Sequence, residues 1–410
     1  MTLQMNIEPE KFLLSLMQKA LAAVKPERLV QPHIVDLKGQ ALTVVGMGKA
    51  AAHMALGIEK TLGSAAQGIV VVPYGYEANC QWIKVRSAAH PLPDQNGIDA
   101  TNEIIEMLKS SNNPVLALIS GGGSSVCCGP ASFISLSEKQ SIISQLLAKG
   151  TSIGRLNQVR AVLSSVKGGS LARFVAKQPI QALVLSDVPG NDPNLVASGP
   201  FAPNRPDAKG CLAILDRAGI KISKHIRKGI LSVSIQNNIH PQVDTRLIGS
   251  GATALQAAEG WAKAQGLRVL NLGDALEGNA EALARVHLQR VTLLNGQSPI
   301  LLLSGGEANV EVSGAGQGGP NRHFLAHLAR SAPNKMQIAA LAIDTDGCDG
   351  SDGEAGAWFA SEKTRNRSQD LARAVSACDS GGFFKKLGTS IHTGPTGTNV
   401  NDFRAILLLK

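Results

Sequence analysis

Residues 41–60 read ALTVVGMGKAAAHMALGIEK. An unbroken aliphatic run enters a glycine turn at Gly46-Met47-Gly48, and a stretch with apolar residues at helical spacing leaves it. A run that is apolar at every position, not at alternate ones, suits a strand buried on both faces. The same order recurs along the chain. GIVVVPYGY (68–76) is a second strand, PVLALISGGGSS (114–125) a third and IQALVLSDVPGNDP (180–193) a fourth. Strands alternating with helices predict a parallel, doubly wound α/β sheet. Sheets of this kind gather ligands at the carboxyl ends of their strands, where this sequence puts its glycines and carboxylates.

Beyond a polar stretch, SVSIQNNIHPQVDT (232–245), the theme resumes with TRLIGSGATALQAAEGWAKAQG (245–266), PILLLSGGEANVEVSG (299–314) and MQIAALAIDTDGCDGSDG (336–353). It closes with TGPTGTNVNDFRAILLLK (393–410). The expected organisation is therefore a first domain over residues 1–242 and a second, smaller α/β domain over 243–410. A chain of 410 residues is long enough for two cores. Phe12, Leu13, Leu16, Met17, Ala20, Leu21 and Val24 recur at helical spacing and predict an amphipathic helix packed on a domain. The short apolar run there lacks the features of a signal peptide, and no stretch approaches the length of a membrane span. A cytoplasmic protein is expected.

The net charge of +9 suits an anionic ligand. Two tyrosines and three tryptophans supply few stacking surfaces, which argues against nucleic acid. The six cysteines form no C-x-x-C pair and read as free thiols of a reducing compartment.

Several loops have the composition of anion sites. Gly46-Met47-Gly48-Lys49-Ala50-Ala51 fits G-x-G-x-x-A, but the next strand ends in Pro73-Tyr74, not in an acidic ribose partner. Lys49 at a helix start is either a phosphate ligand, since a cation there opposes the dipole unless an anion lies nearby, or a solvated side chain on a tight strand-to-helix turn. Ser120, Gly121, Gly122, Gly123 and Ser124 follow the third strand as a backbone cradle, or as a flexible turn. Arg160, Ser164 and Lys167 stand at i, i+4, i+7 on a helix expected over 155–166 and form either a solvated basic face or a row that grips an anion. Asp187 ends a buried strand, where it can orient a hydroxyl, accept its proton or hold Mg²⁺; Asn191 and Asp192 follow, either serving the same centre, Asn191 toward substrate and Asp192 as a Mg²⁺ partner, or forming an ordinary turn. In the second half the candidates are Gly305, Gly306, Glu307, Asn321, Asp346, Asp349, Thr396, Gly397 and Asn399. Several anion-friendly loops plus carboxylates suit phosphoryl transfer. Lys49 would neutralise the transferring group, Arg160 and Lys167 would hold substrate oxygens, and the second-half loops would contact a nucleotide.

GMGKAA, HPLPD (90–94), ISGGGSS, VRAVLSSVKGGSLA, SDVPGNDPNLVASGP, LSGGEANVEV, DTDGCDG and TGPTGTNVND follow one another in order. Together they resemble the glycerate 2-kinase family with a C-terminal MOFRL domain, over nearly the whole chain. The resemblance implies ATP, Mg²⁺, D-glycerate and 2-phosphoglycerate. It also implies a Rossmann-like large domain and a smaller α/β domain with the active site between them. Members often carry the label hydroxypyruvate reductase, so an NAD(P)H-dependent reductase, a kinase of another hydroxy acid and a non-catalytic binding protein are the rivals. Two departures stand out. Where the family has GGRNQE, this chain has Gly318-Gly319-Pro320-Asn321-Arg322-His323, and after Asp349-Gly350 the usual Pro-Thr-Asp is Ser351-Asp352-Gly353. The partners expected are ATP and glycerate, with no nucleic acid and no membrane; a homodimer is compatible with the sequence.

Overall fold

The computed structural model describes residues 7–203, 207–233, 242–294, 299–311 and 316–409. Most of the polar stretch 232–245 lies outside them. The chain divides into two compact units, one from Pro26 to Ile248 and one joining the segment up to Lys25 to everything from Gly249 onward.

In the first unit, strands β1 (Leu42–Met47), β2 (Ala66–Pro73), β3 (Ile83–Ala88), β4 (Val115–Ser120), β5 (Ile180–Leu185) and β6 (Val243–Gly249) form one sheet in the order β3-β2-β1-β4-β5-β6. The ladders from β3 through β5 are all parallel. Strands β1 and β4 are buried at every position, as their unbroken apolar runs require. The chain winds outward from β1 to β3, then returns to β4 and winds the other way. The carboxyl ends of β1 and β4 thus flank the point where the winding reverses, which is where doubly wound sheets open a crevice. One core cluster joins Val45, Ile69, Ile119 and Val184 of the sheet to Ile104 and Leu108 of the helix Gln95–Ser110. Another lies within a helical group built from Leu136–Ala148, Ile153–Val162, Ala208–Arg217 and Lys224–Val233, around Ile142, Leu146, Leu156, Val159 and Leu215.

The second unit contains β7 (Arg268–Asn271), β8 (Gly278–Asn279), β9 (Ile300–Gly306), β10 (Ala308–Asn309), β11 (Ile338–Asp344), β12 (Gly356–Ala360), β13 (Ser390–Ile391) and β14 (Asp402–Leu408). Six of these form a sheet in the order β13-β12-β11-β14-β9-β7. Its strands are as apolar as those of the first sheet, yet only the β7–β9 ladder is parallel. An apolar run reports burial on both faces and carries no information about strand direction. The register sets Asp402 opposite both Gly306 and Asp344. The loops after β9 and β11 and before β14 therefore share one edge.

The expected boundary at 242/243 differs from the observed division at its amino-terminal end. The helix Pro9–Ala23 is amphipathic as expected, with Leu13, Leu16, Met17 and Ala20 buried, but it packs on the second unit. Phe12 meets Trp261 at 5.2 Å between ring centroids, and the Thr398 hydroxyl donates to the Val24 carbonyl at 2.8 Å. Helical spacing predicts that an apolar face is covered and does not say which element covers it.

Candidate active site

The turn after β1 is built against the loop after β4. Gly48 has φ +110, and a Cβ there would lie 2.3 Å from the Ser120 carbonyl oxygen. Only glycine fits such a turn. The Lys49 amide donates to the Gly121 carbonyl at 2.8 Å and the Ala50 amide to the Ser120 hydroxyl at 3.0 Å. The Gly48 and Ala51 amides donate to Val71 and Gly48 carbonyls. A dinucleotide pyrophosphate in a G-x-G-x-x-A turn is held by amides of this kind, and here they already have acceptors inside the fold. Ser120 is fully buried, so its hydroxyl straps two loops together instead of facing a ligand. That corrects its expected role as a phosphate contact.

Gly122, at φ +77, turns the chain into the short helix Gly123–Val126. A Cβ on it would come within 3.3 Å of the Lys49 side chain and 3.5 Å of the His90 ring, so these two side chains flank the glycine loop. His90 Nδ1 lies 2.7 Å from the Ser125 hydroxyl. The Lys49 ammonium is 5.7 Å from the Tyr76 ring centroid, within reach of a cation–π contact. Asp187, just past β5, is partly buried. Burial pushes its carboxyl up to about 6, against the opposing pull of the Lys49 charge. A carboxylate held near 6 is ionised at neutral pH yet basic enough to take a proton.

The remaining residues of this unit sort differently. Asn191 is left-handed at φ 55. Asp192 is exposed, and its Oδ1 accepts from the amide and side chain of Asn194, both at 2.9 Å. That is an Asx turn, the ordinary chemistry of such a sequence. The helix expected over 155–166 is Ile153–Val162, so Arg160, Ser164 and Lys167 do not form one helical row. Ser164 instead bridges to Pro130, with its hydroxyl on the Gly129 carbonyl at 3.0 Å. Lys167 is buried and donates to the Ser124 carbonyl at 2.5 Å. Burial lowers its ammonium to about 7. Arg160, also lowered by burial, donates to Asn157 at 3.3 Å. The Ser124 hydroxyl pairs with that of Ser198 at 2.7 Å. Ala197 and Ser198, at φ 54 and 62, are consecutive non-glycine residues in the left-handed region, a strain that surrounding structure must hold in place. The hydroxyl pairing across 74 residues is invisible in the sequence, although ASGP lies within a quoted motif.

In the second unit, much of the expected nucleotide set is engaged internally. Asp349 accepts from the Asn321 and Arg322 amides at 2.8 and 3.0 Å and from Arg322 Nε at 3.0 Å. Arg322 also reaches both oxygens of Asp352, at 2.7 and 2.5 Å. The two departures from the family pattern thus meet: Arg322 and Asp352 hold each other. This buried clamp removes Asp349 and Arg322 from the surface and gives both a structural role. Asn321 donates to Asp402 at 2.5 Å, and Asp402 also pairs with the buried Arg404, which donates to the Gly305 carbonyl at 3.1 Å. Asp346 is buried and accepts from the Cys348 amide at 2.8 Å. Thr396 donates to the Thr345 carbonyl at 2.5 Å, Gly397 turns at φ 75, and Asn399 is buried. Glu307 is exposed beside Gly306.

A magnesium ion bound with a nucleotide asks for one or two carboxylates and phosphate oxygens. Asp187 fits that demand; no group of three or more potential metal-ligating side chains stands among the described residues. No described helix is long and apolar enough to cross a membrane.

Residues 12–231 match the family described as "Domain of unknown function (DUF4147)", and residues 300–402 match the MOFRL family. The chain is 36% identical to a putative hydroxypyruvate reductase of Agrobacterium vitis, over 98% of this chain and 95% of that protein. It is 33% identical to the D-glycerate 2-kinase of Thermotoga maritima, over 96% and 97%. The crystal structure of a glycerate kinase from Thermotoga maritima superposes with a TM-score of 0.89 at 32% identity, over 98% of this chain and 99% of that one. Matches of this length, across both halves of the chain, show that it belongs to the glycerate 2-kinase family, in which this amino-terminal domain is joined to a MOFRL domain.

Proposed function

We propose that the chain is an ATP-dependent D-glycerate 2-kinase. The observation that supports this reading is that Lys49 follows β1, beside the glycine loop, and that its charge acts on Asp187, which follows β5, both at carboxyl ends of the parallel sheet. The Asp187 carboxylate takes the proton of the C2 hydroxyl, whose oxygen then attacks the γ-phosphorus of ATP. The bond to the β,γ-bridging oxygen breaks, and ADP leaves. Lys49 offsets the negative charge on the transferring group, and the backbone of residues 121–124 cradles its oxygens. Asp187 is also the residue to hold Mg²⁺, which would supply charge neutralisation on the phosphates; Asp192 is the weaker candidate, since its Oδ1 is engaged. Glu307, Asp346 and the Thr396–Asn399 loop are assigned to the nucleotide, framed by Asn321 and Asp349.

The reductase reading meets two obstacles. The amides of the G-x-G-x-x-A turn are occupied, and the second strand ends without an acidic residue. The test is a paired assay. ATP, Mg²⁺ and D-glycerate should release ADP and form 2-phosphoglycerate, with no turnover when the acid is omitted. NADH oxidation with hydroxypyruvate, together with no ADP release from any hydroxy acid, would overturn the kinase reading.

A further inference from the structure

Lys139 lies on the helix Leu136–Ala148, on the same buried face as Ile142 and Leu146. It is only 7% exposed, and its ammonium has no hydrogen-bond partner among the described residues. Lys167 is 3% exposed and holds one acceptor, the Ser124 carbonyl. These two lysines and Arg160 lie near enough for their charges to act on one another. None of the three takes part in an ion pair among the described residues. The neighbouring titratable groups are Cys127 and Cys128, with Asp94 beyond Cys128. Burial raises both thiols, Cys128 to about 11, so neither supplies negative charge at neutral pH. Buried lysines are retained where something pairs with them, and here the fold provides cations without the anion.

We propose that Lys139, Arg160 and Lys167 form one oxyanion site beside the glycine loop, with Lys139 as its innermost donor, and that its ligand is the carboxylate of the hydroxy acid. Arg160, Asn157 and Ser124 remain partly exposed, so the site reaches solvent on that side. Arg160 offers a flat fork and the two lysines compact charges, a set that suits a small, closely held oxyanion. A carboxylate fits better than the transferring phosphoryl group, because Lys49 already flanks the glycine loop on its β1 side. The identity of the acid rests on the kinase reading; the existence of the oxyanion site does not.

Burial lowers Lys139 to about 8 and Lys167 to about 7. An anion entering the site raises both, so binding takes up protons near pH 8.

The experiment compares the wild-type chain with Lys139→Met, which keeps length and loses charge. The variant should raise KM for D-glycerate at least about tenfold, the scale of one charged hydrogen bond, and leave KM for ATP within about twofold. Calorimetry of D-glycerate binding in two buffers of different ionisation heat should show proton uptake that shrinks in the variant. An unchanged KM for D-glycerate in a folded variant overturns the site. An equal rise in both KM values overturns the carboxylate assignment in favour of a phosphoryl group. Lys139→Gln is the second variant, and failure of both to fold makes Lys139 structural and overturns the proposal. If the wild-type chain phosphorylates no acid, the kinase reading falls by itself. The oxyanion site is then judged by whether D-glycerate raises Tm in the wild type and not in the variant, and an equal shift in both overturns it.

Discussion

The two units bury positive charge in opposite ways. In the second, Arg322 is closed between Asp349 and Asp352, and Arg404 is closed on Asp402 and the Gly305 carbonyl. In the first, Lys139 and Lys167 are also buried, with no carboxylate beside them among the described residues. A buried cation whose partner comes from its own chain contributes to the frame. One whose partner is missing from its own chain marks a place for a ligand. The sequence marks Asp349 as a nucleotide contact and Arg322 as a departure from the family pattern, and it singles out Lys139 for nothing.

Removing a paired charge should have the largest effect. Arg322→Met strands Asp349 in the interior, and a loss of about 3–5 kcal/mol in urea unfolding is expected. Lys139→Met should leave the urea midpoint unchanged or raise it, because it removes an unpaired buried charge. Equal losses in the two variants would erase the contrast between the units.

Lys49→Ala should lower kcat by about 10²–10³, the scale for one preorganised electrostatic partner. A rise in KM for ATP with kcat intact would instead place Lys49 in ground-state binding. Asp187 sharpens the contrast from the acidic side. Its folded pKa, about 6, lies above the usual carboxylate value. Its contribution to stability is therefore full at low pH and is lost as pH rises through 6. Asp187→Asn should melt higher than wild type at pH 8 and alike at pH 4, while its kcat falls steeply. In the wild type, kcat/KM should decline below about pH 6 with a single ionisation.

A further pH-linked shift belongs to the lysines. Their folded pKa values lie below the ordinary 10.5, so the unfolded chain binds more protons between about pH 7 and 10. Stability should rise across that window, by several kcal/mol. Saturating D-glycerate should flatten the rise, and Lys139→Met should reduce it. A flat profile in the wild type without ligand would mean that the lysines are already compensated.

Much of this was legible in sequence. Unbroken apolar runs placed the strands of the parallel sheet, with the glycines and Asp187 at their ends, where the site is proposed. The part that was not legible is the part made by distant residues meeting. The Arg322–Asp352 clamp spans 30 residues, and although each departure from the family pattern was visible, their pairing was not. Ser120, read as a ligand contact, is a strap because a second loop packs on it. Strand direction in the second sheet has no signature in composition at all.

The helix Pro9–Ala23 leads the chain yet packs with residues near Trp261 and Thr398. During synthesis it leaves the ribosome before the helix that covers its apolar face. At about 5–20 residues per second, its partner helix Gly251–Ala264 follows only after roughly 10–50 s. In that interval the first unit can complete its own sheet while the helix waits as an exposed amphipathic segment, open to a chaperone. A carboxy-terminal fragment beginning at Gly249 would lack this helix and bare the surface it covers. Circular permutation, moving residues 7–25 behind residue 409, would let the second unit be made as one continuous stretch.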